Sequence, residues 1–592
     1  MITLEKIKQN IAEAINKTIK KDVVSSADLI YPPNPGFGDL SLPCFVVAKK
    51  LNKSAVETAE FLIPKVKLDN VIATTKAIGP YLNFTLNKIN LAQSTIEEIL
   101  KMKEKYGENK DGKNEKIMIE FANGNTHKEY HVGHLRNVCY GDAITKILAA
   151  NGYKAIPVSY VNDFGIHVAK TIWALNVFYQ KKNVTHPVLT CHGGKTCLGG
   201  GEDNGNFLGK VYVKACEEIE KDSTVKEAVS LCMKNIESCH GADYKLWQKT
   251  RKWSIDSFAK IHQELGIKFN YIFYESEEIK KGLSMVNDLY AKHFLIKSQG
   301  AIIADLNKYN LGVLLFLRSD GTALYSVADL PLAIEKFKKY KINKSIHVVD
   351  VRQTLYFKQL FKILELLGYK KEAIHLVYEF VKLPEGMMAS RTGNVITYED
   401  LRARILEKTE VEIKERHKNW NKIKVHQVAN KITNGAIKFE MIKISADKII
   451  TFDIDHALRF EGYTAAYLQY TSARISSILK KSKIKNFQNF VLDKQKLKIN
   501  LNNLKDVKEE ILIYKLAKYS EIIKVANKNY DPSEIAKYLF ELAQEFNDYY
   551  HAVPVLKTKT EIRQARLILI IAIRQVISNG LELLGIEAME EM

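Results

Sequence analysis

Residues 116–143 read KIMIEFANGNTHKEYHVGHLRNVCYGDA. The run KIMIEF predicts a strand, ANGNTHKEY a loop, and the residues after Gly133 a helix that carries Leu135, Val138, Ile147 and Leu148 and stops at Asn151 and Gly152. A strand leading through a loop into a helix start is where a doubly wound sheet holds nucleotides, because free amides and the helix dipole favour anions there. His131 and His134 stand at that start with Gly133 between them. Imidazole N–H groups can follow charge onto phosphate oxygens during transfer, and a glycine lets an adenine or ribose come close to the backbone. The competing reading is two surface histidines at a helix cap.

Outward from this stretch, short β-branched runs alternate with helical segments: KAIPVSYV, SIHVVDV and HLVYEFV are further strands. That alternation predicts a parallel sheet covered by helices from Lys116 to about Asn394. Residues 1–112 form a separate α/β block. It has an amphipathic first helix (Leu4, Ile7, Ile11, Ile15 and Ile19), a proline- and glycine-rich loop, YPPNPGFGD, and a strand, YLNFTL. After residue 400 strands give way to long amphipathic patterns, such as Thr464 to Lys481 and Ser533 to Tyr550, which predict a helical bundle. In the second, Asp531 is placed to cap, Pro532 to begin the first turn and Glu534 to close a capping box. Ile535, Leu539, Leu542 and Phe546 form its buried stripe. The fold class is therefore α/β, in three parts: 1–112, 113–400 and 401–592. The stretch THPVLTCHGGKTCLGGGEDNGNFLG, around 181–210, reads as a loop inserted in the middle part.

At 592 residues, 46% hydrophobic and 26% charged, the composition is that of a multidomain globular protein, and no stretch is long or charge-free enough to span a bilayer. The first helix carries acids and lacks the apolar core of an export signal, so the cytoplasm is the expected location. Seven cysteines do not suggest a disulfide framework. The net charge of +20 steers polyanions to the surface and makes nucleic acid the leading partner, against a lysine-rich solvated surface. The GGKT in the insertion is not a phosphate loop: Leu189 stands where the first glycine belongs, and no strand leads directly into a helix. Cys191, His192, Cys197, Cys232, Cys239 and His240 are suitable soft ligands but lack paired-cysteine spacing, so no metal site is expected.

HVGH resembles the HIGH signature of class I aminoacyl-tRNA synthetases, and the residues around it resemble the arginyl group in particular. The resemblance extends over most of the chain and implies ATP, with Mg2+ accompanying it, L-arginine and an arginine-accepting tRNA as ligands. The segment EGMMASRTGNVITYEDL falls where the family's KMSKS loop is expected, with Met388, Ser390 and Arg391 on ATP. Neither usual lysine position in Met387 to Arg391 holds lysine; Arg391 supplies part of that charge, and Lys128 matches the compensating lysine upstream of HIGH.

RSDGTALYSVADLPLA resembles the strand and helix that select arginine. Tyr325 and Asp329, four apart, share one side of a helical turn and suit a planar cation with five donors. Val327 and Ala328 replace the usual Thr-Arg. Glu275 in FNYIFYES matches a second carboxylate, although Asn270 replaces an expected aspartate. By the same resemblance Glu120, Asn123, Gly124, Asn125, His134 and Gln353 complete the arginine site, with Asn125 and Gln353 at the α-amino and carboxylate end.

FDIDHALRFEGYTAAYLQYTSARISSIL resembles the start of the helical anticodon-binding domain, and NDYYHAVPVL and GLELLGIEAMEEM its closing helices. The implied tRNA contacts are Tyr463, Arg474, Tyr550 and Met592; aromatic rings and guanidinium planes suit exposed bases. For Tyr550 core packing is the alternative. FGDLSLPCFVVAKKL and IGPYLNFTL resemble the added amino-terminal domain that touches the tRNA elbow. A monomer is expected. Two other readings are a cysteinyl-type class I enzyme, which selects its substrate with zinc-bound thiolates, and a catalytically silent tRNA-binding relative.

Overall fold

The computed structural model describes residues 3–66, 70–179, 204–382, 396–482 and 501–592. The central sheet has five parallel strands: β1 (Lys116–Glu120), β2 (Lys154–Val161), β3 (Tyr271–Tyr274), β4 (Lys344–Asp350) and β5 (Glu372–Tyr378). Their order across the sheet is β5-β4-β1-β2-β3. The chain runs outward from β1 to β3 and then returns to the other side of β1. A crevice therefore opens between the carboxyl ends of β1 and β4, where ligands bind in sheets of this kind. All four strand runs quoted for the middle part of the chain contribute to this sheet. Its fifth strand, and a three-stranded antiparallel sheet of Ile296–Ser298, Ala301–Asp305 and Val313–Leu317, were not among them.

Helix α1 (Val132–Ala150) follows β1 and is capped at its end by Asn151, with Gly152 in the left-handed region at φ 80°. Gly141 packs it on the sheet, since a Cβ there would lie 2.2 Å from the Phe121 ring. Arg136, one turn into α1 and 1% exposed, donates to the carbonyls of Glu379, Ser445, Ala446 and Lys448. It thereby ties α1 to the segments leading into the helical part of the chain. A guanidinium buried this deeply is tolerated because its donors are satisfied.

The first helix, Thr3–Ile19, buries Leu4, Ile7, Ile11, Ile15 and Ile19 as its spacing predicts. The Tyr81–Leu86 strand pairs antiparallel with Leu40–Pro43 and Ile72–Ile78. Residues 465–481 and 533–552 are helical, and the stripe from Ile535 to Phe546 is fully buried. One expected detail fails. Asp531 accepts from the Ser533 amide at 2.9 Å, but Pro532 occupies the cap position and Glu534 closes no capping box. The Asp531 amide, from which the glutamate would have to accept, donates instead to the Ala526 carbonyl at 2.9 Å.

The insertion is also shorter than it reads: α2 (Asn204–Lys221) begins inside the glycine-rich stretch, burying Phe207 and Leu208. Residues 398–416 form one helix, which runs across the residue-400 division. Among the described residues no helix is long and apolar enough to cross a membrane.

Candidate active site

A cavity of about 930 Å³ lies outside the carboxyl ends of β1 and β4. His131 is the N-cap of α1, and its Nδ1 accepts from the Gly133 amide at 3.1 Å. His134 Nδ1 accepts from the His131 amide at 3.1 Å, and the two ring centres are 3.9 Å apart. The two histidines are thus the cap of the helix and also line the cavity. An Nδ1 that accepts carries no proton, so each neutral ring holds its proton on Nε2. Burial, reinforced by Arg352 and Lys128, pushes His131 down to about 4; burial with His131 and Lys128 holds His134 well below the usual histidine value. Near pH 7 both rings are neutral Nε2–H donors lining the cavity. Gly133 has a reason absent from the sequence reading: a Cβ there would lie 2.9 Å from the His131 ring, so the glycine makes room for the capping imidazole.

Lys128 lines the same wall, its ammonium 5.0 Å from the centre of the Tyr212 ring, which α2 supplies. The opposite side of the cavity is α4 (Tyr325–Lys339). Tyr325, Asp329, Leu332 and Lys336 recur along it at intervals of four, three and four and all face the cavity. Val327 and Ala328 are fully buried on its other side, so the departure from Thr-Arg leaves Asp329 in place. Asp329 accepts from the Tyr356 hydroxyl through Oδ2. Its Oδ1 is buried and makes no hydrogen bond of good geometry among the described residues, although the Tyr160 hydroxyl, also without a well-formed bond, lies beside the same carboxylate. Removal from water raises the Asp329 carboxyl to about 6.

Glu275 opens α3 (Glu275–Ala291) and accepts from the Asn162 amide group at 3.1 Å. Burial, with Asp329 nearby, raises it to about 8. Glu120, at the end of β1, is engaged by its own chain: Lys336 ion-pairs with one oxygen, and His347 Nδ1 lies 3.2 Å from the other. Burial alone would raise its pKa, but these partners hold it well below the carboxylate range. Asn123 lines the cavity and donates weakly to Glu120 at 3.4 Å. Asn125 and Gln353 also line it. Gly124 lies behind the lining, where a Cβ would meet the Phe258 ring at 2.8 Å.

Met388, Ser390 and Arg391 lie outside the described residues, as do Cys191, His192 and Cys197. No cluster of three histidine, cysteine or acidic side chains able to hold a metal occurs among the described residues. Sequence reasoning missed Tyr356, Asn162, Lys336, His347 and Arg352 as cavity residues. Lys336 was findable as the next member of the helical stripe that starts at Tyr325.

In the helical part, the Tyr463 hydroxyl donates to the Lys443 carbonyl at 2.9 Å, and its ring packs on Phe439 and Phe540. Arg474 donates to Asn547 and to the Tyr470 hydroxyl. Tyr550 stacks beside Phe546, and Met592 packs against the core.

The chain matches the family model of tRNA synthetases class I (R), catalytic domain, over residues 95–453. It also matches the DALR anticodon binding domain over 468–592 and the arginyl tRNA synthetase N terminal domain over 5–86. It is 34% identical to an arginine–tRNA ligase of Bdellovibrio bacteriovorus over 577 residues, 95% of this chain and 94% of that one. To one of Clostridium acetobutylicum it is 33% identical over 589 residues, covering 99% and 100%. The fold superposes on the Thermus thermophilus arginyl-tRNA synthetase with a TM-score of 0.78 at 24% identity, covering 99% of this chain and all of that one.

Proposed function

The chain belongs to the arginyl family of class I tRNA synthetases, and from that premise we propose how its cavity performs the reaction of an arginine–tRNA ligase. The enzyme activates L-arginine with ATP and passes the arginyl group to the 3′ end of its tRNA. An arginine carboxylate oxygen attacks the α-phosphorus, the bond to the bridging oxygen breaks, and pyrophosphate leaves. A terminal ribose hydroxyl then attacks the acyl carbon, and AMP departs.

The observation that carries this reading is the buried Oδ1 of Asp329, without a well-formed hydrogen bond among the described residues, in a cavity shared with His131 and His134. A guanidinium supplies the missing donors to that oxygen, while the Tyr356 hydroxyl fixes the other. With Glu275 raised to about 8 and Asp329 to about 6, one carboxylate of the two is charged near pH 7. That single charge matches the single charge of the side chain, and Tyr325 closes the guanidinium's edge. Asn125 and Gln353 take the α-amino and carboxylate end, with Asn123 and Gly124 shaping the loop. Glu120, neutralised by Lys336, acts from the floor of the site.

Gly133 and the Nε2–H groups of His131 and His134 meet the nucleotide, with Lys128, Met388, Ser390 and Arg391 completing the phosphate site. Neutral donors stabilise charge that develops on phosphate oxygens without a covalent intermediate. Mg2+ bound with ATP would supply further charge neutralisation at the phosphates, and no dedicated protein ligands are proposed for it.

Residues 401–592 receive the anticodon arm on the face carrying Arg474, Tyr550 and Met592, which Tyr463 supports from within; residues 1–112 meet the tRNA elbow. All these subsites lie in one chain, consistent with a cytoplasmic monomer. The test is charging: purified protein with ATP, arginine and a total tRNA pool forms arginyl-tRNA and no other aminoacyl-tRNA. Binding of tRNA without charging overturns the reading in favour of a silent relative.

A further inference from the structure

Among the described residues three cations line the cavity: Lys128, Lys336 and Arg352. Lys336 is already neutralised by Glu120, deep in the wall at 1% exposure. The remaining two flank the histidines, and the segment Met387 to Arg391 contains no lysine. A triphosphate carries more negative charge than Lys128 and Arg391, the one cation of that segment, can offset.

We propose that Arg352, which rests on the ligase reading above but is no part of its arginine pocket, is a further catalytic residue that holds the ATP phosphates across the cavity from Lys128. It follows the carboxyl end of β4, on the crevice side of the strand beside β1. Its guanidinium is held flat in two ways. Nε and Nη2 form a fork onto Asp350 at 3.0 and 2.9 Å, and the plane lies 4.8 Å from the centre of the Phe380 ring, itself a cavity residue. Asp350 is fixed in turn by the Arg352 amide at 3.0 Å. The fork uses one edge of the guanidinium and leaves Nη1 without a partner among the described residues, and that is the edge a phosphate oxygen takes.

The histidines register this charge. After burial, Arg352 is the largest influence lowering the His131 pKa, ahead of Lys128. The cation therefore acts at the point where the helix N-terminus meets the nucleotide, and not at the guanidinium end of the cavity. It also helps keep the His131 ring neutral and its Nε2–H available.

Steady-state charging kinetics of the full chain with Arg352→Gln and Arg352→Lys test the assignment, varying ATP, arginine and tRNA in turn. Arg352→Gln should lower kcat/KM for ATP by about 100-fold, split between a higher KM for ATP and a lower kcat, while KM for arginine and tRNA moves less than about twofold. Arg352→Lys should recover part of the loss, because the charge is kept and the fork is not. A normal ATP dependence in Arg352→Gln overturns the proposal, and so does a loss confined to KM for tRNA, which would make Arg352 a contact to the RNA 3′ end. Absence of charging by the unsubstituted protein overturns the ligase reading instead. Should Arg352→Gln fail to fold, Asp350→Asn keeps the question open to test. It loosens the fork while leaving the cation, and must then raise KM for ATP several-fold with KM for arginine unchanged; no change in KM for ATP counts against the proposal.

Discussion

The cavity and the helical bundle use the same residue types in opposite ways. In the cavity, polar groups keep unused capacity: Asp329 Oδ1 has no well-formed hydrogen bond among the described residues, and the two capping histidines each retain an Nε2–H after Nδ1 is spent on the cap. In the bundle two of the groups singled out from the sequence, Tyr463 and Arg474, are engaged by the bundle itself. Tyr463 bonds Lys443, and Arg474 bonds Asn547 and Tyr470. Unpartnered hydroxyl and amide oxygens are buried in the bundle too, at Gln469 and Ser472 for example, but they line no such cavity; a carboxylate oxygen without a donor on a cavity wall marks a place for a cationic ligand, whereas an aromatic or cation bonded to its neighbours marks packing. The contrast is strongest at Asp329. Replacing it with alanine should remove a buried counter-charge that no cation of the described residues neutralises and lower kcat/KM for arginine by about 10³-fold, the scale of breaking a buried ion pair. A loss below tenfold, measured in the charging assay, would mean that the guanidinium is held elsewhere.

The histidines give the next largest effect. His134→Ala deletes both a cap acceptor and a phosphate donor, so two consequences should separate. kcat should fall by about 10²-fold from the lost donor, and thermal stability should fall by about 1 kcal/mol from the lost cap. A variant that loses stability alone would return the pair to the cap reading.

Acidity probes the same wall with a smaller effect. Asp329 must be ionised to meet a guanidinium, and its carboxyl is raised to about 6. As pH falls below that value the free enzyme protonates at this oxygen, so kcat/KM for arginine should fall about tenfold per unit. Above it the profile should be flat until Glu275, near 8, begins to add a second negative charge. The Asp329→Asn variant should lose the acid limb. A wild-type profile flat from pH 7 to 5 would detach Asp329 from substrate binding.

Much of this was legible in the sequence where a local pattern and a chemical requirement coincide. The strand–loop–helix at 116–150, the cap at Asn151 and Gly152, and the stripe from Tyr325 to Asp329 all follow from periodicity and turn chemistry within a few residues. What was hidden depends on distant partners. Lys336 is an ordinary lysine in a helix until β1 brings Glu120 beside it, 216 residues away in the chain. Tyr356 becomes part of the arginine pocket only because the helix after β4 packs against α4. Arg136 reads as a surface residue of an amphipathic helix, yet is buried by carbonyls from two segments more than 240 residues further on. The antiparallel insertion was missed because its strands are short and interrupted, giving no alternation long enough to detect.

The smallest effect sharpens the comparison from the other side. Tyr463 was singled out as an RNA contact because aromatic rings suit exposed bases, but its hydroxyl is spent on the Lys443 carbonyl and its ring is wedged between Phe439 and Phe540. Tyr463→Phe keeps the ring and removes one hydrogen bond. It should cost about 1 kcal/mol of stability, seen as a lower Tm, with KM for tRNA changed by less than about twofold. Arg474 differs in degree: its guanidinium bonds two neighbours but lies at a half-buried position beside the Tyr470 ring, where a base can still reach its face. Arg474→Gln should therefore raise KM for tRNA more than Tyr463→Phe does. If Tyr463→Phe instead raises KM for tRNA tenfold at unchanged Tm, hydrogen-bond saturation is the wrong criterion for this surface, and RNA binding there must begin by opening the bundle's own bonds.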